Sequence, residues 1–258
     1  MQHDLFAVIG NPIAHSLSPA IYLQFAQQFP AIRLSYEKIL GDEIAFESQV
    51  RAFFQQGGRG VNITAPFKRR AYMIADILTD RALASESVNS LLMLPDGRLE
   101  GDNSDGVGLI RDMTRYVSLS QKNILVLGAG AVVEAVLPAI LGEYPASISL
   151  VNRDINKALQ IGARFPIVVK SYENIAGVYD VVINATPLSL QKTLPPIKAD
   201  LLGAGGFAYD MVYDRLQDTV FVAWARAQGM QAIHGLGMLL EQAAENFYRW
   251  YGVLPDIC

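Results

Sequence analysis

Residues 122–136 read KNILVLGAGAVVEAV, a short apolar run that is followed by glycine, alanine and glycine and then by a second apolar run. The first run has the length and composition of a buried β-strand that the glycines stop. The second run continues to residue 144 and predicts a helix. This order of strand, glycine turn and helix is typical of the first unit of a nucleotide-binding domain.

The glycine loop agrees only in part with a dinucleotide-binding turn. In such a turn the first glycine permits the bend, the second lets the backbone approach the pyrophosphate, and a third small residue lets the helix pack closely. Gly128 and Gly130 fit the first two roles, whereas Val133 is larger than usual and Glu134 adds negative charge near the expected phosphates. The loop alone is compatible with a dinucleotide site and with a turn that binds nothing.

Downstream of the loop, apolar strands alternate with helical segments. The predicted strands are SISLVNR, YDVVINAT and FAYDMVY, and the helix INKALQIGARF lies between the first two. Strands that are separated by helices and buried on both faces imply a parallel sheet. We therefore predict an α/β protein in which residues 105–237 form a Rossmann-like, doubly wound nucleotide-binding domain.

Residues 1–104 predict a separate mixed α/β domain. Its expected strands are LFAVIG, LSYEKIL and GVNIT, and a hairpin is expected to turn at Asp96-Gly97. Its expected helices are AIYLQFAQQF, EIAFESQVRAFFQQGG and PFKRRAYMIADIL, the first with Ser18 at the N-cap and Pro19 at its first position. The segment LGMLLEQAAENFYRWYGV predicts an amphipathic helix long enough to fold back onto this domain, so residues 238–258 are assigned to it.

Composition favours a small-molecule partner. The formal net charge of −4 gives no reason to expect nucleic acid or an anionic membrane surface. The single cysteine, Cys258, excludes an intrachain disulfide, and the three histidines are not at metal-ligand spacing, so we expect no metal.

The N-terminus and the longest apolar run bear on location. The first ten residues lack the basic start and long apolar run of a signal peptide, so a cytoplasmic protein is expected. Residues 124–141 reach the length of a membrane-spanning helix, but two glycines, Pro138 and Glu134 oppose that interpretation.

The segment after the second strand of the nucleotide domain bears on the choice of cofactor. It reads Asn152-Arg153-Asp154 and continues to Lys157. An acidic residue there favours the free 2′-hydroxyl of NAD, while an arginine favours the 2′-phosphate of NADP. Asp154 also suits the N-cap of a helix that begins at Ile155. In that case Arg153 and Lys157 remain to bind phosphate, so we predict NADP, with NAD possible.

Several motifs in the right order carry a resemblance to a known family. The N-terminal half contains NPIAHSLSP, VNITAPFKRRA and VNSLLMLPDGRLEGDNSDGVGL, and the C-terminal half contains NRD, VVINAT, YDMVY and GLGMLLEQAA. With these the chain closely resembles the shikimate dehydrogenase family, which includes quinate/shikimate dehydrogenases, nearly from end to end. The family's signature, Asn-x-Thr-x-Pro-Phe-Lys followed by Asn-(Thr/Ser)-Asp-Gly, is complete.

The resemblance implies an activity and a division of labour. The family reduces 3-dehydroshikimate to shikimate reversibly with NADPH, in chorismate and aromatic amino-acid biosynthesis. Residues 1–104 with 238–258 would then bind the substrate and residues 105–237 the NADP. A monomer or a homodimer is expected.

The resemblance also assigns roles to individual residues. Lys68 would transfer the proton, with Asp105 beside it. The implied substrate-binding residues are Ser16, Ser18, Thr64, Asn89, Tyr213 and Gln242. The implied cofactor-binding residues are Gly128, Ala129, Gly130, Ala131, Asn152, Arg153, Lys157, Met211 and Gly235. Purely structural roles are also open, such as a helix cap for Ser18 or a turn for Asn89.

Departures from the family pattern fall on the cofactor side. The glycine loop is altered, the segment after Asn184 reads NATPLS, and His234 replaces the usual acid before GLGM. Three hypotheses follow: an NADPH-dependent shikimate dehydrogenase, a quinate/shikimate dehydrogenase-like paralogue that uses NAD, and a non-catalytic shikimate-binding regulator. Intact Lys68 and Asp105 argue against the third. The sequence leaves open the protonation state of Lys68 and whether quinate is accepted.

Overall fold

The computed structural model describes residues 3–257, so Cys258 lies outside the described chain, as do residues 1 and 2. Contacts divide the chain into two compact units. The first unit comprises Met1–Gly108 and Leu240–Cys258, and the second comprises Leu109–Leu239. The assignment of one ligand to each predicted domain stays a prediction.

The described residues form twelve β-strands and nine α-helices. The strands are β1 (Asp4–Gly10), β2 (Leu34–Leu40), β3 (Gly58–Ile63), β4 (Ile77–Leu78), β5 (Ser90–Met93), β6 (Leu99–Asp102), β7 (Asn123–Leu127), β8 (Ser147–Val151), β9 (Val168–Lys170), β10 (Tyr179–Asn184), β11 (Leu202–Asp210) and β12 (Gln231–His234). The helices are α1 (Ser18–Gln27), α2 (Phe46–Gln55), α3 (Lys68–Ile74), α4 (Asp80–Ser85), α5 (Asp105–Met113), α6 (Ala131–Gly142), α7 (Ile155–Gly162), α8 (Val220–Ala227) and α9 (Leu236–Tyr251).

A mixed six-stranded sheet organises the first unit, in the order β2-β1-β3-β5-β6-β4. β1 pairs in parallel with β2 and β3, and β5 runs antiparallel to β3 and β6. The predicted hairpin is confirmed, because β5 and β6 are adjacent and Gly97 turns between them with φ of 86°. Only a glycine adopts this φ without strain.

Two faces of the first sheet are buried by different side chains. Ala7 and Ile9 of β1 lie in an aliphatic and phenylalanine core, while Phe6 points the other way. The Phe6 ring stacks on Trp250 of α9 at 4.4 Å, and Trp250 stacks on Tyr22 at 4.9 Å. Such pairs add about 0.5–1.5 kcal/mol each beyond their burial. The predicted return of the C-terminal helix to the first domain is therefore confirmed.

The second unit is a parallel sheet in the order β12-β11-β10-β7-β8-β9. Ile124 and Val126 of β7 lie in one core, and Leu125 and Leu127 lie in another. Burial on both faces explains why this strand is apolar at every position after Asn123. The Rossmann-like, doubly wound prediction is confirmed, with the strand order reversing between β7 and β10.

Three local predictions are wrong. Leu17, not Ser18, is the N-cap of α1, because the Leu17 carbonyl accepts the first helical hydrogen bond, from the Ile21 amide at 3.1 Å. α2 begins at Phe46 rather than at residue 43, because the Asp42 carboxylate holds residues 42–45 in a turn by accepting from two backbone amides. The helix predicted to run to residue 78 ends at Ile74, and residues 77–78 form β4 instead.

The long apolar run of residues 124–141 is divided between a strand and a helix. It comprises most of β7, the glycine loop and nearly all of α6. Within residues 3–257, no helix has the length and apolar character needed to cross a membrane. In the same part of the chain, no cluster of three or more His, Cys, Asp or Glu side chains is placed to hold a metal ion.

Candidate functional site

One edge of the first sheet collects the candidate residues of the first unit. Thr64 and Lys68 follow the end of β3, and Asp105 follows the end of β6, which runs in the same direction as β3. Asn89 precedes β5, whose direction is opposite, so it lies at the same edge. Strand direction therefore brings together residues that are far apart in the chain.

Lys68 and Asp105 form an ion pair at this edge. Lys68 is the first residue of α3 and Asp105 the first of α5. The Lys68 Nζ lies 2.5 Å from the Asp105 Oδ2, and the two side chains are only 16% and 3% exposed. A charge-assisted hydrogen bond that is shielded from water fixes the position of the ammonium group more firmly than an exposed pair would.

Asn89 connects the pair to the C-terminal helix. Its amide nitrogen donates to the Asp105 Oδ1 at 2.7 Å and to the Gln242 Oε1 at 3.0 Å, and its amide oxygen accepts from the Ser104 backbone at 3.0 Å. Asn89 is 3% exposed. The structure thus brings Lys68, Asp105, Asn89 and Gln242 into one hydrogen-bonded group, which we call the Asn89 network.

Ser16, Ser18 and Thr64 lie near the ends of β1 and β3. The two serine hydroxyls are 3.2 Å apart at the start of α1. The Thr64 amide donates to the Ile9 carbonyl at 2.9 Å. A Cβ at Gly10 would lie 2.2 Å from the Thr64 methyl group, so residue 10 must be glycine for Thr64 to keep its place.

Asn62 and Tyr36 also join this group, although we did not predict them. The Tyr36 hydroxyl donates to the Asn62 Oδ1 at 2.6 Å, and the Asn62 Nδ2 donates to the Asn89 carbonyl at 3.3 Å. Burial raises the pKa of Tyr36 well above its usual value, with Tyr22 adding to the effect and Ser18 opposing it, so Tyr36 stays a neutral donor. The signal in the sequence was the position of Asn62 two residues before Thr64, on the same side of the strand.

An ion network supports the segment that carries Asp105. The Asp102 carboxylate accepts from Arg81 Nε at 2.9 Å and Nη2 at 2.6 Å, and from the Thr79 hydroxyl at 2.6 Å. Arg81 also bonds Glu245 of α9 at 2.8 Å. Burial pushes the pKa of Asp102 upward, but the bonds and charge of Arg81 outweigh it, and the pKa is lowered.

The glycine loop of the second unit is tightly packed at Gly128 and open at Gly130. Gly128 has φ of 108°, and a Cβ there would lie 3.1 Å from the Ala185 carbonyl group. A Cβ at Gly130 would meet nothing within 4 Å, and α6 begins at Ala131 without a side-chain cap from the described residues. Free space beside a helix N-terminus fits a pyrophosphate. Val133, the atypical third residue, is fully buried in the core, away from this space.

The segment after β8 resolves the role of Asp154. Its carboxylate accepts from the Asn156 amide at 3.1 Å, which confirms the predicted N-cap of α7. The Asn152 side chain donates to the Asp154 carbonyl at 2.8 Å and stabilises the turn. Arg153 and Lys157 are exposed.

The other candidates of the second unit follow β11 and β12. The Met211 amide donates to the Asn184 carbonyl at 2.9 Å, and a Cβ at Gly235 would lie 2.5 Å from the Met211 carbonyl oxygen, so these two residues lie against each other. Burial raises the pKa of Tyr213, while Arg215 opposes the effect. Four cofactor candidates thus lie at the carboxyl ends of parallel strands, where doubly wound sheets bind ligands. They are Ala129, Ala131, Met211 and Gly235.

Family comparisons agree with the two units. Residues 8–91 match the shikimate dehydrogenase substrate binding domain, and residues 111–192 match the shikimate / quinate 5-dehydrogenase domain. A shikimate dehydrogenase (NADP(+)) of Legionella pneumophila strain Lens is 44% identical over 252 residues, which cover 97% of this chain and 94% of the relative. This chain belongs to the shikimate dehydrogenase family.

Further members of the family and solved structures support the same conclusion. A shikimate dehydrogenase (NADP(+)) of Halorhodospira halophila is 46% identical, with 98% of this chain and 95% of the relative covered. The shikimate 5-dehydrogenase of Thermus thermophilus, solved with NADP(H) and shikimate, is 33% identical with a TM-score of 0.88, over 98% of this chain and 95% of that one. An Ael1 enzyme from Pseudomonas putida is 40% identical with the same TM-score and the same coverage.

One departure from the family pattern adds a hydrogen bond within the second unit. In NATPLS, Ser189 occupies the position where the family usually has glycine, and its hydroxyl donates to the Asp210 carboxylate at 2.6 Å. Thr219 donates to the same carboxylate at 2.6 Å and Asn184 at 3.0 Å. Burial raises the pKa of Asp210, and these bonds from neutral groups offset it only in part.

Proposed function

We propose that this chain is an NADP-dependent shikimate dehydrogenase that reversibly reduces 3-dehydroshikimate to shikimate. The observation that carries the proposal is the Lys68–Asp105 ion pair, which is shielded from water inside the Asn89 network. Relatives that match nearly the full length of this chain are named shikimate dehydrogenase (NADP(+)). We assign the enzyme to the cytoplasm and to aromatic amino-acid biosynthesis.

Reduction of a ketone to an alcohol requires a hydride at carbon and a proton at oxygen. Bound NADPH supplies the hydride. Lys68 Nζ donates the proton to the developing alkoxide oxygen and takes it back in the reverse reaction. Asp105, 2.5 Å away, holds the Lys68 amine in place for this transfer.

The substrate is an anion with several hydroxyl groups, and the candidates suit it. Ser16 and Ser18 bind the carboxylate at the start of α1, where the helix dipole favours negative charge. Thr64, Asn89 and Gln242 contact the hydroxyl and carboxylate groups of the substrate, and the resemblance also assigns Tyr213 to it. The bonds between Asn89 and its neighbours fix its orientation before substrate arrives.

The residues present fit a dinucleotide with a 2′-phosphate. The open space at Gly130 would receive the pyrophosphate together with the backbone of Ala131, while Met211 and Gly235 would line the nicotinamide. Arg153 and Lys157 bind the 2′-phosphate, since a guanidinium can make two hydrogen bonds to it. Asp154 opposes this only weakly because its carboxylate caps α7.

The test is the absorbance of the reduced nicotinamide when the enzyme meets shikimate with NADP or with NAD. We expect a higher kcat/KM with NADP. A preference for NAD, with quinate also oxidised, would identify a quinate/shikimate dehydrogenase-like paralogue. A protein that binds shikimate but does not oxidise it with either cofactor would be a non-catalytic regulator. Light scattering on the same sample distinguishes a monomer from a homodimer.

A further inference from the structure

Glu134 places a negative charge in the first turn of α6, beside the glycine loop. α6 begins at Ala131, and the Gly130 carbonyl accepts from the Val133 amide at 2.9 Å. A carboxylate in this turn interacts favourably with the positive end of the helix dipole and so competes with a bound anion for it. It also repels the pyrophosphate directly.

The carboxylate of Glu134 is held by a partner from outside its own helix. Arg164, two residues beyond the end of α7, places its Nη1 2.6 Å from the Glu134 Oε2. The side chains are 27% and 25% exposed, so the pair is screened by water less than a fully exposed pair.

Arg164 is itself fixed by its neighbour. Its guanidinium carbon lies 5.1 Å from the centre of the Phe165 ring, and Phe165 packs against the core of the second unit. A cation over an aromatic face is attracted to it, which limits the positions the guanidinium can take. The ion pair is therefore anchored to the core rather than free to rearrange.

We propose that Arg164 is a positioning residue for the cofactor: it neutralises Glu134 and holds its carboxylate on the α7 side, leaving the start of α6 to the pyrophosphate. This inference rests on the proposed function. Because NADP and NAD share the pyrophosphate, Arg164 supports both cofactors equally. It differs in this respect from Arg153, which is assigned to the 2′-phosphate alone.

The test is a double-mutant cycle with Arg164→Gln, Glu134→Gln and the double variant. Titration of protein fluorescence at low salt gives the Kd for NADP and for NAD. We expect Arg164→Gln to weaken both by about threefold to tenfold, because it removes the cation that neutralises the carboxylate at the phosphate site. Glu134→Gln should bind at least as tightly as wild type, and the double variant should recover to within about twofold of Glu134→Gln.

Two further readouts separate positioning from support of the fold. The KM for the cofactor should rise in Arg164→Gln while kcat and the KM for shikimate stay constant, and the defect should shrink as ionic strength rises. Lys122→Gln is the matched control, because its ion pair with Asp180, at 3.9 Å, lies at the opposite end of β7. This variant should bind both cofactors normally.

Four outcomes overturn the inference. Equal weakening by Arg164→Gln and Glu134→Gln, with no recovery in the double variant, would assign the pair to stability alone. A change in NADP binding without a change in NAD binding would place Arg164 at the 2′-phosphate. If the wild type binds cofactor and all variants bind it with the same Kd, this inference alone is refuted. If the wild type binds neither cofactor, the proposed function is refuted as well.

Discussion

The two units prepare their candidate residues for binding in different ways. In the first unit, Lys68, Asp105, Asn89 and Gln242 are bonded to one another through their side chains. In the second unit, the loop offers backbone groups and, at Gly130, open space. Side-chain networks demand particular residue types, while backbone recognition demands only a conformation.

The buried aspartates of the two units show the same contrast. Asp102 is bonded to the cationic Arg81, whereas Asp210 receives its bonds from the neutral Ser189, Thr219 and Asn184. Both lose water on folding, yet the pKa of Asp102 is lowered and that of Asp210 is raised. The charge of the partner, rather than burial itself, decides the direction.

The largest expected effect is the loss of activity when the proton-transfer group of the first unit is removed. We expect Lys68→Ala to lower kcat by about two to four orders of magnitude, with a smaller change in the KM for shikimate. Arg69→Ala is the control, because the adjacent Arg69 is 72% exposed and pairs only loosely with Glu86 at 3.6 Å. Wild-type kcat in Lys68→Ala would remove this residue from the mechanism.

The next largest effect is expected on stability, when the ion network around Asp102 in the first unit loses its arginine. Arg81→Ala leaves the carboxylate of Asp102 buried, with Arg249 at 3.3 Å as its neighbouring cation. We expect the free energy of unfolding to fall by about 3 kcal/mol. Urea denaturation followed by tryptophan fluorescence measures it. Arg98→Ala, which breaks an exposed pair with Asp96, should lower the free energy of unfolding far less, and equal effects would contradict the contrast.

The choice between NADP and NAD tests the role of side chains in the second unit. Arg153→Ala should weaken NADP binding by about one to two orders of magnitude, the value of hydrogen bonds to a charged group, while NAD kinetics change little. Initial rates with each cofactor measure the two effects. Equal losses would mean that Arg153 contacts a part that both cofactors share.

The smallest expected effect is the pH dependence of the two aspartates. The lowered pKa of Asp102 gives stability that is present above about pH 4 and is lost as the pH falls through its folded value. The raised pKa of Asp210 gives the opposite: its contribution is present below about pH 4 and is lost as the pH rises through its folded value. Unfolding free energies of wild type, Asp102→Asn and Asp210→Asn, measured between about pH 3 and pH 7, should show these two windows. Curves of the same sign would refute the assignment of partners.

The sequence was most informative where periodicity was long or turn chemistry was specific. β7, α6, the Asp96-Gly97 hairpin and α9 are all present in the structure. Short elements such as β4, α4 and β12 were missed, because two to six residues cannot show a period. The start of α2 was misplaced because the side chain of Asp42 competes for backbone amides there.

The site shows the same limit. The signature around Lys68 names residue types, but their spacing in the chain does not tell which side chains bond. That Asn89 joins Asp105 to Gln242 depends on strand direction and on the return of α9. Asp154 was ambiguous because a cap and a ribose contact require the same carboxylate, and only the bond to Asn156 distinguishes them.

The return of α9 sets an order of events during synthesis on the ribosome. The first unit needs Trp250 against Phe6 and Gln242 beside Asn89, but both partners emerge only after all of the second unit has been made. The nascent chain therefore carries a first sheet with one uncovered aromatic face while residues 109–239 are translated. A chain that stalls before residue 240 would hold Lys68 and Asp105 without Gln242. It would also expose Phe6 and Tyr22 as a surface for chaperones or for aggregation.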